Sequence, residues 1–229
     1  MKKILIIAAH PDDEILGCGG LIKKSIKNKN KVRVLFLAEG ITSRYSKEEL
    51  SNPKVQKKSE QRNKNAILAL NFLGVKKEDI FLSSNPCCRL DDFNQLDIVK
   101  IIEKHIIDFK PNEIFTHWHS DTNIDHRIVY QATITASRPV YKFNINLIAS
   151  YEILSSTEWN FKESFNPNYF EDISDFIDDK IRAIKYYKDE IKPFPHSRSI
   201  KSIVSLSNYR GVQSGVKNAE AFQIIKISN

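Results

Sequence analysis

The chain has 229 residues, of which 41% are hydrophobic and 28% charged, and this fits one globular domain with a sizeable core. The formal net charge is +7, but the lysines are scattered and form no dense basic block with interleaved aromatic residues. This distribution argues against a nucleic-acid partner and favours a solvated surface.

Cysteine usage and the length of the apolar runs bear on where the protein works. Cys18, Cys87 and Cys88 cannot all pair within the chain, and they lack the spacing of a disulfide framework. We therefore expect a cytoplasmic protein in which the adjacent Cys87 and Cys88 have a structural or incidental role. The apolar runs are too short to cross a bilayer, so no membrane span is expected.

The N-terminal segment predicts a strand-helix-strand unit. Residues Ile4 to Ala9 form a continuous apolar run, which is typical of a central parallel strand covered on both faces. The polar stretch "HPDDE" and a glycine-rich turn, "GCGG", come next. The stretch "LIKKSIKNKN" then predicts a helix, and "KVRVLFLAEG" predicts a second strand.

Strands and helices continue to alternate up to about residue 140. The expected elements are a polar loop near residues 41 to 55, a helix from about Gln56 to Leu73 ended by Gly74, a short strand "DIFL", a helix from about Asn94 to Phe109, a strand "EIFTH" after Pro111, and a helix after His126. This order predicts an α/β fold with a single-domain, Rossmann-like, doubly wound and mostly parallel sheet. Sites in such folds lie beyond the carboxyl ends of the strands.

The alternation weakens after Pro139, and we interpret the remainder as a C-terminal extension of the same domain. Its expected elements are a strand "LIASYEI", a helix from about Ser174 to Tyr187, a helix near residues 199 to 208, and a late strand "AEAFQII". We therefore expect one domain over residues 1–229, with a core over about 1–150 and the extension over about 151–229.

Two polar clusters follow predicted strands and carry the candidate chemistry. The first strand delivers His10 and Asp13 to the carboxyl edge of the sheet, and the strand "EIFTH" leads into "HWHSDTNIDHRIV", which contains His126. Two histidines and one carboxylate, with a position left for water, suit a catalytic zinc, and the same set accepts ferrous iron. Asp12 could then take a proton from that water, and Asp125 could orient a neighbouring group.

Each cluster also has a purely structural interpretation. Aspartate and glutamate suit the first turn of a helix and glycine suits a tight bend, so "HPDDE" also fits a turn followed by a helix cap. The stretch "NIDH" equally fits a capped helix with surface histidines. The occurrence of both clusters at two strand ends of one sheet favours the metal centre.

The stretches "AHPDDE", "GCGG" and "THWHSDTNIDHRIV" together resemble the PIG-L (LmbE-like) family of zinc-dependent N-deacetylases. The stretches "SSTEW", "PFPHSRS", "YRG" and "AEAF" extend the resemblance over nearly the whole chain. The resemblance implies that His10, Asp13 and His126 bind Zn²⁺, that Asp12 is the general base, and that metal-activated water attacks an amide carbonyl. The implied substrate is a small-molecule N-acetylglucosamine-type sugar or conjugate.

One position departs from the pattern of the family. Many members have His-x-Asp-His in the second motif, whereas this chain has Asn123 in place of the first histidine. An asparagine can donate a hydrogen bond to an oxyanion, but it cannot deliver a proton at neutral pH. We expect Asp12 to return its proton to the leaving amine, and His196 of "PFPHSRS" is the alternative donor.

Four further residues are candidates for substrate binding: Arg44, Glu158, Arg198 and Arg210. Arg44 follows the second predicted strand, where a loop could overhang the site, and a guanidinium there suits hydroxyls or a phosphate. The competing hypothesis is a catalytically impaired sugar-binding protein of the same fold, with Asn123 as the sign of lost activity. A homo-oligomer is compatible with the sequence.

Overall fold

The computed structural model describes residues 1–140 and 144–228. The strands within these ranges are β1 (Lys3–Ala8), β2 (Lys31–Phe36), β3 (Ile80–Phe81), β4 (Glu113–His117), β5 (Leu147–Tyr151), β6 (Tyr169–Asp172) and β7 (Ala219–Ile227). They form one sheet in the order β3-β2-β1-β4-β5-β7-β6. Strands β1 to β5 pair in parallel, whereas β7 is antiparallel to both β5 and β6. The predicted doubly wound, mostly parallel α/β sheet is confirmed.

Helices cover both faces of this sheet. They are α1 (Asp13–Lys27), α2 (Pro53–Leu73), α3 (Gln95–Phe109), α4 (Ile124–Ala136), α5 (Ile177–Ile184) and α6 (Ile200–Ser214). Alternate residues of β1 enter two cores: Ile4 and Ile6 join α1, α2 and α5, whereas Leu5 and Ile7 join α3 and α4. Burial on both faces explains the continuous apolar run of β1. No helix in the described ranges is long and apolar enough to cross a membrane.

The prediction that "GCGG" forms a turn is wrong, because α1 begins before it and contains it. Added Cβ atoms would lie 2.5 Å from Tyr151 at Gly17 and 2.5 Å from Ile173 at Gly20. These glycines therefore allow α1 to approach the sheet and the C-terminal part of the chain closely, which is a packing requirement rather than a bend.

The predicted boundaries of three helices also need correction. α2 begins three residues before Gln56, because the Asn52 side chain accepts a hydrogen bond from the backbone of Lys54 and caps the helix. The helix predicted from Ser174 begins later, because Asp172 accepts hydrogen bonds from the backbone N–H and the hydroxyl of Ser174 and holds a turn. α6 continues beyond residue 208. The short strand β6 is absent from the sequence-based expectation, since four residues are too few to establish a periodicity.

Replacing Gly17 by alanine is expected to lower the free energy of unfolding by about 1–3 kcal/mol, because the new methyl group overlaps the buried Tyr151 ring. For a chain of this size each kcal/mol corresponds to about 2–4 °C in Tm. Thermal unfolding measures the effect, and Gln131→Ala at an exposed position of α4 is the control, expected within about 0.5 kcal/mol of wild type. An unchanged Tm for Gly17→Ala would contradict the tight contact.

A buried ion pair connects α1 to the C-terminal part of the chain. Lys180 Nζ donates to Glu220 Oε1 at 2.6 Å and to the backbone carbonyl of Leu16 at 2.7 Å. The two Glu220 oxygens accept the backbone N–H groups of Gly20 and Leu21, each at 2.8 Å. The Leu16 carbonyl and the Gly20 N–H are backbone groups four residues apart, which a regular α-helix joins by a direct hydrogen bond. Here Lys180 binds the carbonyl, Glu220 binds the N–H, and the ion pair connects the two.

Candidate active site

The two polar clusters meet at the carboxyl edge of the sheet. β1 ends at Ala8, and the chain turns through Asp12, whose φ of 116° is rare for a residue other than glycine, into α1. β4 lies next to β1 in the sheet and leads into α4, whose first turn contains His126. The sheet order reverses between β1 and β4, which is where ligands bind in doubly wound folds.

His10, Asp13 and His126 form a buried cluster whose ligand atoms all lie within 4.8 Å of one another. Asp13 Oδ2 is 3.4 Å from His10 Nδ1 and 3.3 Å from His126 Nε2. Asp13 Oδ1 and His126 Nε2 are buried and have no hydrogen-bond partner. Buried polar atoms are seldom left without a hydrogen-bond partner. Two such atoms in one cluster fit a metal ion that would bind to their lone pairs.

Each histidine of the cluster has a carboxylate at its other ring nitrogen. His10 Nε2 lies 2.8 Å from Asp125 Oδ2, and His126 Nδ1 lies 3.1 Å from Asp121 Oδ1. Asp121 is held in turn by the Thr157 hydroxyl at 2.6 Å. Such carboxylates fix the tautomer and orientation of metal-binding histidines. Asp125 was a sequence candidate, whereas Asp121 was missed, although it lies in the quoted second motif.

Charge in the cluster is dominated by carboxylates. Burial lowers the pKa of His126, but Asp13 and Asp121 outweigh it and raise this pKa to about 9. Burial also disfavours the charged form of His10, while Cys87 and nearby carboxylates hold its pKa well above the usual range. Burial acts to raise the pKa of Asp13, yet the neighbouring histidines keep it well below its usual value. A divalent cation would supply the positive charge that the histidine protons otherwise provide.

His117 lies beside the cluster with its Nε2 engaged, while its buried Nδ1 has no hydrogen-bond partner. Its Nε2 is 3.5 Å from Asp13 Oδ2 and accepts the backbone N–H of Ala9 at 2.8 Å. Its ring stacks on that of His126 with centroids 3.8 Å apart. Burial lowers the pKa of His117 well below its usual value, and nearby His126 adds to this effect. His117 therefore positions the His126 ring and the end of β1.

Asp12 adjoins the cluster and is held by two arginines. Its Oδ2 lies 2.8 Å from Arg62 Nη2 and 2.8 Å from Arg198 Nη1. Glu190 connects the same two guanidinium groups, at 2.8 Å from Arg62 and 2.9 Å from Arg198. Burial raises the pKa of Asp12, and the two arginines oppose this shift. Arg198 was a sequence candidate, whereas Arg62 and Glu190 were missed.

Asn123 and His196, the two candidates for assisting the reaction besides Asp12, each make a hydrogen bond to the backbone of a site residue. Asn123 caps α4, because its Oδ1 accepts the backbone N–H of Asp125 at 2.9 Å. His196 is exposed, and its Nδ1 accepts the backbone N–H of Arg198 at 3.0 Å. Both are thus next to residues of the site.

Two substrate-binding candidates make local structural contacts instead. Glu158 accepts the backbone N–H groups of Ser155 and Ser156 and so closes a turn. Arg210 makes two hydrogen bonds to the carboxylate of Glu152, at 2.7 and 2.6 Å. Neither of these contacts involves His10, Asp13 or His126.

A cavity of about 520 Å³ lies beside the arginine network. Its walls include Arg44, Arg62, Tyr187 and Glu190. Arg44 Nη2 contacts both Glu190 oxygens, at 2.7 and 2.8 Å, while half of the Arg44 side chain stays exposed. The volume is in the range of small-molecule sites. The three cluster residues do not line this cavity, which adjoins Asp12 through Arg62 and Glu190.

Fold and site define a class: a doubly wound α/β protein with a buried histidine-aspartate-histidine cluster and an arginine-bound aspartate at the carboxyl edge of its sheet. The chain belongs to the PIG-L family, because the family model described as GlcNAc-PI de-N-acetylase matches residues 5–137. A curated relative, diacetylchitobiose deacetylase from Thermococcus kodakarensis, is 26% identical over 231 residues, which cover 98% of this chain and 84% of the relative.

Solved structures share the whole architecture. N,N'-diacetylchitobiose deacetylase from Pyrococcus horikoshii has a TM-score of 0.74 and 23% identity, with 98% of this chain and 84% of that chain covered. The 4-carboxy-2-hydroxymuconate hydratase GalB from Pseudomonas putida KT2440 has a TM-score of 0.76 and 18% identity, with 100% and 98% covered. At these identities the likeness establishes the fold alone, and the hydratase performs a different reaction on it.

Proposed function

We propose that this protein is a metal-dependent hydrolase that removes an acetyl or related acyl group from the amide nitrogen of an N-acetylglucosamine-type sugar or conjugate. One observation carries the proposal: the arginine-bound Asp12 adjoins the buried cluster of His10, Asp13 and His126. A proton acceptor therefore lies beside a candidate metal site. Membership of the PIG-L family and similarity to a diacetylchitobiose deacetylase support the substrate class.

His10, Asp13 and His126 are the residues that would hold the metal ion. Their mixed nitrogen and oxygen donors fit Zn²⁺ and also Fe²⁺, and the unpaired Asp13 Oδ1 and His126 Nε2 support this assignment. A bound ion of this kind lowers the pKa of water and polarises a carbonyl oxygen.

Asp12 moves the proton in the proposed reaction. The water oxygen forms a bond to the amide carbonyl carbon while Asp12 accepts a proton from that water. The carbon–nitrogen bond then breaks, and Asp12 passes the proton to the leaving nitrogen, which departs as an amine. The acyl group leaves as a carboxylic acid that ionises at neutral pH. Arg62 and Arg198 hold the Asp12 carboxylate in position throughout.

Asp12 is a better candidate for the leaving-group acid than His196. The exposed His196 uses its Nδ1 to accept the Arg198 backbone N–H, whereas Asp12 is buried next to the cluster. Asn123 has its Oδ1 committed to the helix cap, and its Nδ2 donates one hydrogen bond to Cys88 Sγ at 3.7 Å, so the second amide hydrogen is left to donate. We assign Asn123 a hydrogen bond to the oxyanion that develops on the substrate.

The cavity beside the arginine network is the proposed site of the sugar portion of the substrate. Arg44 is half-exposed in the wall of this cavity, and Arg198 connects the wall residue Glu190 to Asp12. Both guanidinium groups suit hydroxyl or phosphate groups. Glu158 and Arg210 contact their own neighbours and do not line this cavity, and their part in substrate binding stays a prediction.

We also propose that residues 1–229 work as one domain in a reducing, cytoplasmic compartment. The C-terminal strands β6 and β7 extend the same sheet as β1, and Arg198 comes from the C-terminal part to contact Asp12. The three cysteines are free, which supports the reducing compartment.

Acetate release from a panel of N-acetylglucosamine compounds tests the proposal. The panel contains the free sugar, its disaccharide, a nucleotide-linked form and a glycoside. Each is assayed with protein as purified, after chelation, and after addition of Zn²⁺ or Fe²⁺. We expect acetate release that chelation abolishes and added metal restores. Without the ion, Asp12 can still accept a proton, but nothing lowers the pKa of the water or polarises the amide carbonyl.

Metal-dependent release would separate this function from its two competitors. A catalytically impaired sugar-binding protein would bind panel members in calorimetry and release no acetate. A hydratase, as in the structurally similar muconate enzyme, would add water to an unsaturated acid and leave every amide intact. Either result would contradict the deacetylase.

A further inference from the structure

A second group of metal-binding atoms lies directly beside the first. Cys87 and Cys88 lie on the segment between β3 and α3, and their thiols are free. Atoms of His10, Cys87, Cys88 and Asp125 all lie within 4.8 Å of one another, so this group shares His10 with the proposed catalytic set. Neither cysteine is assigned a step in the proposed deacetylation, and Cys88 meets that machinery only where its Sγ accepts a hydrogen bond from Asn123 Nδ2 at 3.7 Å.

The backbone at the two cysteines is held in an unusual conformation. Cys88 has a φ of 55°, in the left-handed region where glycine is the favoured residue. Asp125 holds this turn by accepting the backbone N–H groups of Cys88, at 2.5 Å, and of Leu90, at 3.0 Å. A cysteine at such a position costs conformational energy, and strain of this kind is concentrated at functional sites.

The separation of the two sulfur atoms matches the edge of a metal tetrahedron. Cys87 Sγ and Cys88 Sγ are 3.7 Å apart. Two sulfur ligands at about 2.3 Å from a tetrahedral zinc ion lie about 3.8 Å from each other. The 2.8 Å contact between His10 Nε2 and Asp125 Oδ2 would have to open by about 0.5 Å for both atoms to bind the same ion.

We propose that Cys87, Cys88, Asp125 and His10 form a second, thiolate-rich metal site that selects a thiophilic divalent ion and inhibits the enzyme when it is filled. Two thiolates select soft ions such as Cd²⁺ over Fe²⁺ and Mg²⁺. The inhibitory half of this proposal depends on the metal-dependent hydrolysis proposed above, whereas the binding half does not.

Inhibition follows because His10 has a different task in each site. When Nε2 carries its proton toward Asp125, Nδ1 faces Asp13 with a free lone pair. An ion bound to Nε2 displaces that proton and separates the ring from Asp125. The carboxylate that orients His10 then becomes a ligand of the second ion, and the first site loses its alignment.

Thiolate-to-cadmium charge-transfer absorption reports the binding directly. We would titrate the metal-free protein with Cd²⁺ in buffer that contains a phosphine reductant, which keeps the thiols reduced. The double variant Cys87→Ala/Cys88→Gly removes both sulfurs and gives the left-handed position a glycine, so the fold is preserved. Cys18→Ala, at the third cysteine in the core, is the matched control. We expect a band that saturates at one ion in wild type and Cys18→Ala, and that is absent in the double variant.

Activity measurements then test the inhibition. Each protein is activated with one equivalent of Fe²⁺ without oxygen and titrated with Cd²⁺, with its own starting activity as reference. The half-inhibiting Cd²⁺ concentration is expected to be about tenfold or more higher for the double variant.

The binding and inhibition results have separate consequences. No charge-transfer band in wild type, or a band that persists in the double variant, would overturn the second site. A wild-type band with equal Cd²⁺ sensitivity in both proteins would overturn the inhibitory role. An absence of deacetylase activity would instead count against the proposed function and leave the optical result as the test of binding.

Discussion

Replacing Asp12 by asparagine is expected to lower kcat about 100- to 10,000-fold, which is the range for loss of a general acid–base residue. Asparagine has nearly the same shape and can still accept a hydrogen bond from Arg62 or Arg198, so the arrangement around it is retained. It cannot take a proton from water at neutral pH. Steady-state acetate release measures the loss, and metal content per chain, from elemental analysis, is expected to equal that of wild type.

His196→Ala is the matched comparison for this variant. His196 is exposed and bonded to the Arg198 backbone, so its loss is expected to leave turnover within about tenfold of wild type. Equal losses in both variants would contradict Asp12 as the residue that both accepts and returns the proton. Loss of metal in Asp12→Asn would show that Asp12 supports the ligand set rather than the proton transfer.

The position of the candidate site could be predicted from sequence because its signals are local. The apolar run of β1 ends directly before His10, and "EIFTH" ends directly before the second polar cluster. The rule that parallel strands present their carboxyl ends at one edge then brings His10, Asp13 and His126 together. The structure places their ligand atoms within 4.8 Å of one another at this edge.

The surroundings of Asp12 could not be predicted in the same way. Arg62 lies within α2 among many lysines, and Glu190 lies in a charged segment after α5. In sequence both are typical of solvated residues, yet 5% and 4% of their surfaces are exposed. Their burial results from long-range packing of α2 and the C-terminal segment over Asp12, which no local pattern encodes.

In the glycines of α1, by contrast, a local pattern was present but predicted the wrong structure. Helix propensity disfavours glycine, so "GCGG" predicts a turn. In the structure, α1 gains close contacts with β5 and with the segment around Ile173, and this tertiary packing outweighs the local preference. The same helix region receives the side chains of Lys180 and Glu220, which are 160 or more residues away in sequence.

Replacing Lys180 by methionine is expected to lower the free energy of unfolding by about 3–5 kcal/mol, the usual cost of leaving one partner of a buried ion pair uncompensated. Lys180 and Glu220 are each 4% exposed, so water cannot replace the lost ammonium group. The Leu16 carbonyl also loses a hydrogen bond of 2.7 Å. Urea denaturation with the linear extrapolation measures the change in the free energy of unfolding.

The double variant Lys180→Met/Glu220→Gln distinguishes charge from packing. A glutamine at position 220 can still accept a backbone N–H from α1, and it carries no charge that needs compensation. It is therefore expected to be more stable than Lys180→Met alone, with a coupling energy of about 1–3 kcal/mol in the double-mutant cycle. Additive losses would mean that Lys180 acts through its aliphatic packing, since neutralising Glu220 would then bring no recovery.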